Sequence, residues 1–519
     1  MLTAYILFLV LAAAALAVAQ LAAAAFKLRG IPGPLMARLT DVWRFRAMRS
    51  KGWSSRLVAL HQRYGKLVRI GPNHISVSDP AAIPIIYGTS PVWVKGPSYY
   101  GAATVSKGRT VPSIIAMGEA QHTAVRKSAG RHFTTNSLLD YEPSIEAATA
   151  DLVRVLEAHP TTDIANYLQC FAMDVLMRVA FSESLGFIEK GADVDGILAA
   201  VVARFDHWGH WGAMPWADYL FNKSPLAAKL RKKGDSPLAS VSWAQLVKRK
   251  SALPEKSDRM DLLQKFFEGQ AKYPDLVTDD EILGIIMSTI GAGADTTAGT
   301  LAYTLYLLCK HPAAARKLQS ELDNALRDGA LTNPPKWSQV NRLPYLDAVL
   351  RESMRIFPIA SWGLDRVVPP AGATIAGRYI PGGTVVGCQI DAVHLDEDVY
   401  GRDSAAFRPE RWLEADEERR RRMDRAFLAF SAGKRTCTGI HIAWLEMKKT
   451  LPLLLMNFEV GLVSENGEML EMLTTMKMEL VNPSQDVRGE VRISAVKYPP
   501  PIWMRIRKRE PVEVGVSAV

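Results

Sequence analysis

A mainly α chain of the α+β class is what the sequence predicts, and three observations carry that prediction. Residues 80–350 hold helical apolar spacing nearly throughout, broken by loops at roughly 93–115, 207–225 and 330–341. Short β-rich pieces stand apart from this block, and helices with small segregated sheets are the mark of α+β architecture. The third observation is one exceptional helix. Thr278-Asp-Asp-Glu281 reads as a capping box that opens it, and Pro312 marks its end or the start of the next. About 30 residues at 1.5 Å each span roughly 45 Å, enough to cross a whole domain.

The strands follow from turn chemistry. Residues 67–70 and 74–78 flank Gly71-Pro-Asn, and residues 366–375 and 384–389 flank Pro381-Gly-Gly383. The tail from Met476 adds β-rich pieces at 491–494 and 502–506. No internal repeat or long low-complexity tract interrupts the chain.

At 519 residues and 48% apolar composition, the chain can bury a large core. Its four cysteines, Cys170, Cys309, Cys388 and Cys437, form no short-spaced pair, which argues against a disulfide framework and against zinc. Lysine and arginine number 63 against 53 acids, a net charge of +10. That balance suits anionic lipid or an acidic protein partner. No nucleic-acid motif accompanies it, so nucleic acid is excluded.

Residues 2–26 carry no charge, and about 25 residues suffice to cross a bilayer core of roughly 30 Å. Lys27 and Arg29 follow at once, which by the positive-inside tendency leaves the rest of the chain cytoplasmic. Nothing positive precedes the apolar run, so an anchor is favoured over a cleaved signal peptide. The expected organisation is a transmembrane anchor at 1–26, a basic and proline-rich hinge at 27–36 around Ile31-Pro-Gly-Pro34, and a catalytic body at 37–519.

Cys437 is the most informative residue. It lies in Phe430-Ser-Ala-Gly433-Lys-Arg435-Thr-Cys437-Thr-Gly439, just before a helical stretch at 440–453. A helix N-terminus offers unpaired N–H groups, and Arg435 adds a cation, so the thiolate is favoured. Such a sulfur attacks an electrophile or binds a metal, and the spacing favours metal. Gly433 permits a sharp turn, Gly439 leaves room for a flat cofactor at the helix start, and Phe430 offers an aromatic cover. The bland alternative is a buried structural cysteine.

This pattern, F-x-x-G-x-R-x-C-x-G, resembles the haem-binding loop of the cytochrome P-450 family at all five defining positions. Three more segments resemble that family, in its order: Ala292-Gly293-Ala294-Asp295-Thr296-Thr297, then Glu352-Ser-Met-Arg355, then Phe407-Arg-Pro409-Glu410-Arg411-Trp412. The resemblance implies the cytochrome P-450 fold and haem b (iron protoporphyrin IX), with Cys437 as axial iron ligand. It makes Asp295 and Thr296 the catalytic proton relay, and Glu352, Arg355 and Arg411 a buried structural ion network. His122-Thr-Ala-Val-Arg126 lies where the family places a ring and an arginine four residues apart, so His122, Arg126, Arg366 and Arg435 are candidates for the haem propionates.

In motif wording the chain is most similar to fungal microsomal members of secondary metabolism such as pisatin demethylase. The resemblance implies a monooxygenase acting on a small lipophilic substrate, fed with electrons from NADPH by a cytochrome reductase. It places the catalytic body on the cytoplasmic face of the endoplasmic reticulum membrane. Lys127, Lys434, Lys448 and Lys449 are expected to meet that reductase. Loop 93–115, the aromatic stretch with Trp216, Tyr219 and Phe221, and segment 359–364 are expected around the substrate, the aromatics as a lid or membrane contact. Two rivals stand beside this reading. One is a haem-thiolate isomerase or dehydratase that needs no reductase, which the presence of Asp295 and Thr296 disfavours. The other is a membrane-tethered haem carrier or sensor without turnover.

Overall fold

The capping box forms as the sequence requires: Thr278 accepts from the Glu281 N–H, and Glu281 reaches back to the Thr278 N–H. From it runs one uninterrupted helix, Asp279–Lys310, in a computed structural model of the chain. The structure describes residues 26–463 and 492–510 apart from short stretches at 51, 107–108, 112, 130–132, 135–136, 231–235, 252–260, 276, 362 and 494–495, together with residues 5, 8, 12 and 512. The expected anchor at 1–26 lies almost wholly outside the described residues. Among the described residues no helix is long and apolar enough to cross a membrane.

The long helix is buried along most of its length, and its closest packing is against helix Ile164–Phe181, itself buried on nearly every face. Helices Leu138–Ala158, Pro344–Ile356 and Ile440–Asn457 complete the core. Several hydroxyls on the long helix bond back one turn, Thr296 Oγ1 to the Ala292 carbonyl at 2.8 Å and Thr300 to Thr296 at 2.8 Å. These bonds satisfy polar groups inside an apolar core without breaking the helix.

A second core gathers around a four-stranded sheet in the order Leu67–Gly71, His74–Val77, Val385–Cys388, Arg366–Val367. His74–Val77 and Val385–Cys388 run parallel, and the other pairs are antiparallel. A three-stranded sheet places Trp503–Lys508 between Phe458–Leu462 and Thr161–Asp163. Residues Ile31 to Pro34 dock on the first sheet: the Arg69 N–H donates to the Pro32 carbonyl at 2.7 Å, and a Cβ on Gly33 would meet the Arg69 carbonyl oxygen at 2.2 Å.

Several boundaries differ from expectation. The stretch 207–225, read as a loop, continues helix Ile197–Trp211 and then forms Pro215–Asp218, a π turn Tyr219–Lys223 and the start of Pro225–Leu230. Aromatic crowding there masks the helical period. The strand expected at 366–375 is two pieces, Arg366–Val367 and Ala373–Ile375, because Pro369-Pro370 supplies no N–H to a ladder. Ala373–Ile375 pairs with Arg378–Ile380, a strand too short to read from pattern.

Candidate functional site

The cysteine loop is fixed by its neighbours before any ligand is considered. Gly433 has φ +66°, and a Cβ there would lie 1.7 Å from the Tyr87 carbonyl oxygen, so only glycine fits. The Cys437 N–H donates to the Phe430 carbonyl at 2.9 Å, closing the loop just before helix Ile440–Asn457. No Cβ neighbour lies within 4 Å at Gly439, which leaves the helix start open.

Cys437 opens into a cavity enclosing about 1460 Å³ of space free of protein atoms, part of it open to solvent. Phe430, Gly439, Ile442 and Ala443 form the wall beside the sulfur. Ala292, Gly293, Thr296, Thr297 and Thr300 of the long helix line the same cavity. Cys437 is exposed by surface area, yet burial is the largest influence on its thiol and pushes its pKa up. Both statements hold because the sulfur faces this internal space. The Gly439 and Ile440 N–H groups and the Arg126 cation pull the other way. Arg435 is not the cation that assists, contrary to expectation. Its Nε and Nη2 are turned to Glu119 at 2.9 and 2.8 Å, and Nη2 also donates to the Met117 carbonyl.

Positive charge concentrates at one edge of the cavity. Lys95, His122 and Arg435 line it, with Glu119 the acid that faces them. Burial, then Arg435, Lys95, Arg126 and Lys434, lowers the His122 pKa to about 3, so the ring is neutral. Burial and the neighbouring arginines hold Lys95 well below its usual range. Arg435 Nη1 is buried with no hydrogen-bond partner among the described residues. An unsatisfied guanidinium nitrogen in a cationic cradle fits an incoming anionic edge. Of the four propionate candidates, His122 and Arg435 line the cavity and Arg126 stands near enough to act on Cys437. Arg366 donates from Nη1 to the Leu364 and Asp365 carbonyls at 3.3 and 2.9 Å and stacks on Tyr87, and its backbone bridges to Lys95 at this same cationic edge. Lys95, which the sequence reading did not single out, lines the cavity beside these candidates, and a lone lysine in a loop carries no sequence signal for it.

Beneath the cysteine loop lies the ion network. Glu352 accepts from Arg355 Nε and Nη2 at 2.8 and 2.7 Å, from Arg411 Nε at 2.9 Å, and from Trp412 Nε1 at 2.9 Å. Arg355 and Arg411 spend remaining donors on carbonyls of residues 394–406, and Arg411 Nη1 also donates to the Asp403 carboxylate at 3.0 Å. Burial opposes ionisation of Glu352, but the two guanidiniums win and hold its carboxyl below the usual range.

Asp295 and Thr296 separate. Successive residues on a helix point about 100° apart, and only Thr296 faces the large cavity. Asp295 turns to a smaller cavity on the far side, lined also by Asp163, Gln169, Tyr498 and Pro501. Its oxygens accept from Gln169 Nε2 at 2.7 Å and from the Tyr498 hydroxyl at 2.8 Å. Burial lifts its pKa to about 6 against the pull of those two bonds.

A family model described as Cytochrome P450 matches residues 32–487. The chain belongs to the cytochrome P450 family. A cytochrome P450 monooxygenase of Aspergillus terreus is 37% identical over 458 residues, covering 85% of this chain and 93% of that one. A second, from Aspergillus flavus, is 34% identical over 453 residues, covering 85% and 88%. Cytochrome P450 monooxygenase cicH of Emericella nidulans is 33% identical over 451 residues, covering 85% and 90%. The chain is a haem-dependent monooxygenase, as its motifs led us to expect.

The residues present fit the haem that a P450 carries. Cys437 would hold the iron, His122, Arg435 and Lys95 would hold the propionates, and the open start at Gly439 leaves space for the ring. Two expected partner contacts need correction in this P450. Lys448 is buried against Asp347 at 2.9 Å, and Lys449 is buried in pairs with Glu142 and Glu146, so neither can greet a reductase. Lys127 and Lys434 remain exposed. Glu446 went unread in the sequence. It is buried in the cavity wall, burial drives its pKa well above the usual range, and its Oε1 has no hydrogen-bond partner among the described residues.

Proposed function

We propose that this P450 inserts one oxygen atom into a small lipophilic substrate of fungal secondary metabolism, with electrons supplied from NADPH by a membrane-bound reductase. The observation that supports this most is that Cys437 and Thr296 line one and the same largely apolar cavity. Bound haem supplies dioxygen activation, and a thiolate ligand favours O–O cleavage by pushing electron density onto the iron. The protein's own part is positioning and proton supply. Ile114, Ile115, Ile359 and Leu364 offer apolar contacts that hold a lipophilic substrate and exclude water. Thr296 presents its hydroxyl to the reacting centre, and Asp295 behind it takes protons from the smaller cavity.

The anchor and the lipid contact belong to the same proposal. Residues 2–26 supply the apolar length, and the body exposes apolar side chains, Leu35 and Met36 on one short helix and Trp216, Tyr219 and Phe221 on the segment after Trp211. Aromatic residues of this kind favour the lipid interface. The body then rests on the cytoplasmic face of the endoplasmic reticulum. The isomerase and carrier readings gain nothing from the geometry, since a threonine at the cavity and a carboxyl behind it have no task in either.

The test is reconstitution with a P450 reductase. NADPH and dioxygen consumption, together with a carbon monoxide difference band of thiolate type, is the expected result. Substrate conversion without NADPH would establish the isomerase reading instead. The band without any oxygen consumption would establish the carrier.

A further inference from the structure

One arginine stands where an apolar side chain belongs. On helix Ile197–Trp211, Ile197, Val201 and Phe205 face the core. Arg204 lies three residues past Val201 and four before Trp208, on that same inward stripe. Its Nη2 donates to the Ala102 carbonyl and to Ser113 Oγ, both at 3.3 Å. Ser113 Oγ in turn lies 3.3 Å from Ser288 Oγ, and Ser288 lines the large cavity from the long helix. The guanidinium is therefore two hydrogen bonds from the substrate space.

No ion pair to Arg204 exists among the described residues. Residues 103–118, the segment that carries Ser113, contain no acid at all. Burial is the sole influence on its pKa, which falls to about 10, so no carboxylate offsets the desolvation. Arg204 is half-buried, and a partly desolvated cation without an ionic partner is held at a cost. Both hydrogen bonds it makes among the described residues are long at 3.3 Å, and an incoming anion would exchange weak contacts for strong, forked ones.

We propose that Arg204 receives a carboxylate on the substrate, so that the lipophilic substrate of this P450 is a carboxylic acid. The inference rests on the monooxygenase reading of the cavity. The acid group displaces the Ser113–Ser288 contact, while its apolar body lies along Ile114, Ala292 and Leu364 toward Thr296.

The experiment titrates the purified holoenzyme with a panel of aromatic and straight-chain carboxylic acids and the methyl ester of each, following the haem spin-state shift. Acids are expected to bind at least about 10-fold more tightly than their esters. Arg204→Gln should weaken the acids by about 10- to 100-fold and leave the esters unchanged. Arg204→Lys, which keeps the charge and loses the fork, should fall between and serves as the comparison if Arg204→Gln fails to hold haem. Acids and esters binding alike, no acid binding, or equal losses for both in Arg204→Gln would overturn the assignment. The carbon monoxide band separates the two readings: its absence in the wild-type protein sinks the haem reading, whereas its presence beside ester-like acid binding sinks only this one.

Discussion

Tyr498 donates its hydroxyl to Asp295 at 2.8 Å, which ties a two-residue strand near the chain's end to the middle of its longest helix. That bond, with the one from Gln169, draws the Asp295 carboxyl downward while burial lifts it to about 6. As a proton donor Asp295 is loaded below that value, so proton-limited turnover should fall as pH rises through about 6. Removing the hydroxyl removes a downward influence. Tyr498→Phe should therefore move the limb up by about one pH unit, and Asp295→Asn should abolish it. The pH dependence of product formed per NADPH consumed reads both.

The same carboxyl makes a stability prediction. Its folded pKa is raised from 3.8 to about 6, so the folded state is fully favoured below pH 3.8 and loses ground as pH rises to about 6. Asp295→Asn should then be more stable than the wild type at pH 8, by at most roughly 3 kcal/mol. At pH 3.5 the difference should vanish. Urea unfolding at the two pH values measures it.

Glu352 holds two buried guanidiniums, and without it Arg355 would be left with no carboxylate among the described residues while Arg411 would keep Asp403 alone. Glu352→Ala should cost about 3–5 kcal/mol and abolish haem incorporation. Glu352→Asp, too short to span both arginines, should do nearly the same. Haem content after purification decides this.

Gly433→Ala places a methyl carbon on the Tyr87 carbonyl oxygen at a positive φ. A loss on the order of 3 kcal/mol or more is expected, with a weakened or shifted carbon monoxide band. Gly439→Ala meets no protein atom and should keep apoprotein stability while lowering haem affinity.

Reductase docking separates two pairs of lysines that the sequence groups together. Reversing Lys127 and Lys434, both exposed, should slow flavin-to-haem electron transfer several-fold at low salt, an effect that fades at high salt. Lys449→Ala should instead lower stability, leaving Glu142 and Glu146 facing each other, with the reduction rate unchanged. Stopped-flow reduction distinguishes these.

What the sequence revealed and what it hid divide along a physical line. Patterns confined to one turn or loop were legible: the capping box at Thr278, the glycine-braced cysteine, and the Glu352–Arg355 spacing. Direction around a helix was not. Asp295 and Thr296 are neighbours in sequence yet face two different cavities, and Lys448 and Lys449 turn inward because the helix after Cys437 is buried on most of its circumference. Single residues recruited by tertiary contact, such as Lys95, Arg204 and Glu446, leave no repeat or spacing to detect. The helical aromatic stretch after Trp208 defeated the period-based reading for a different reason, since apolar residues on all sides erase amphipathic contrast.

Strand Trp503–Lys508 is the middle member of its sheet, with partners from residues 458–462 and 161–163 on either side. Those partners leave the ribosome long before it does, and until it arrives each lacks its ladder partner. Assembly of this sheet thus awaits residues 503–508. A stop codon ahead of residue 503 would leave both outer strands of that sheet without their partner.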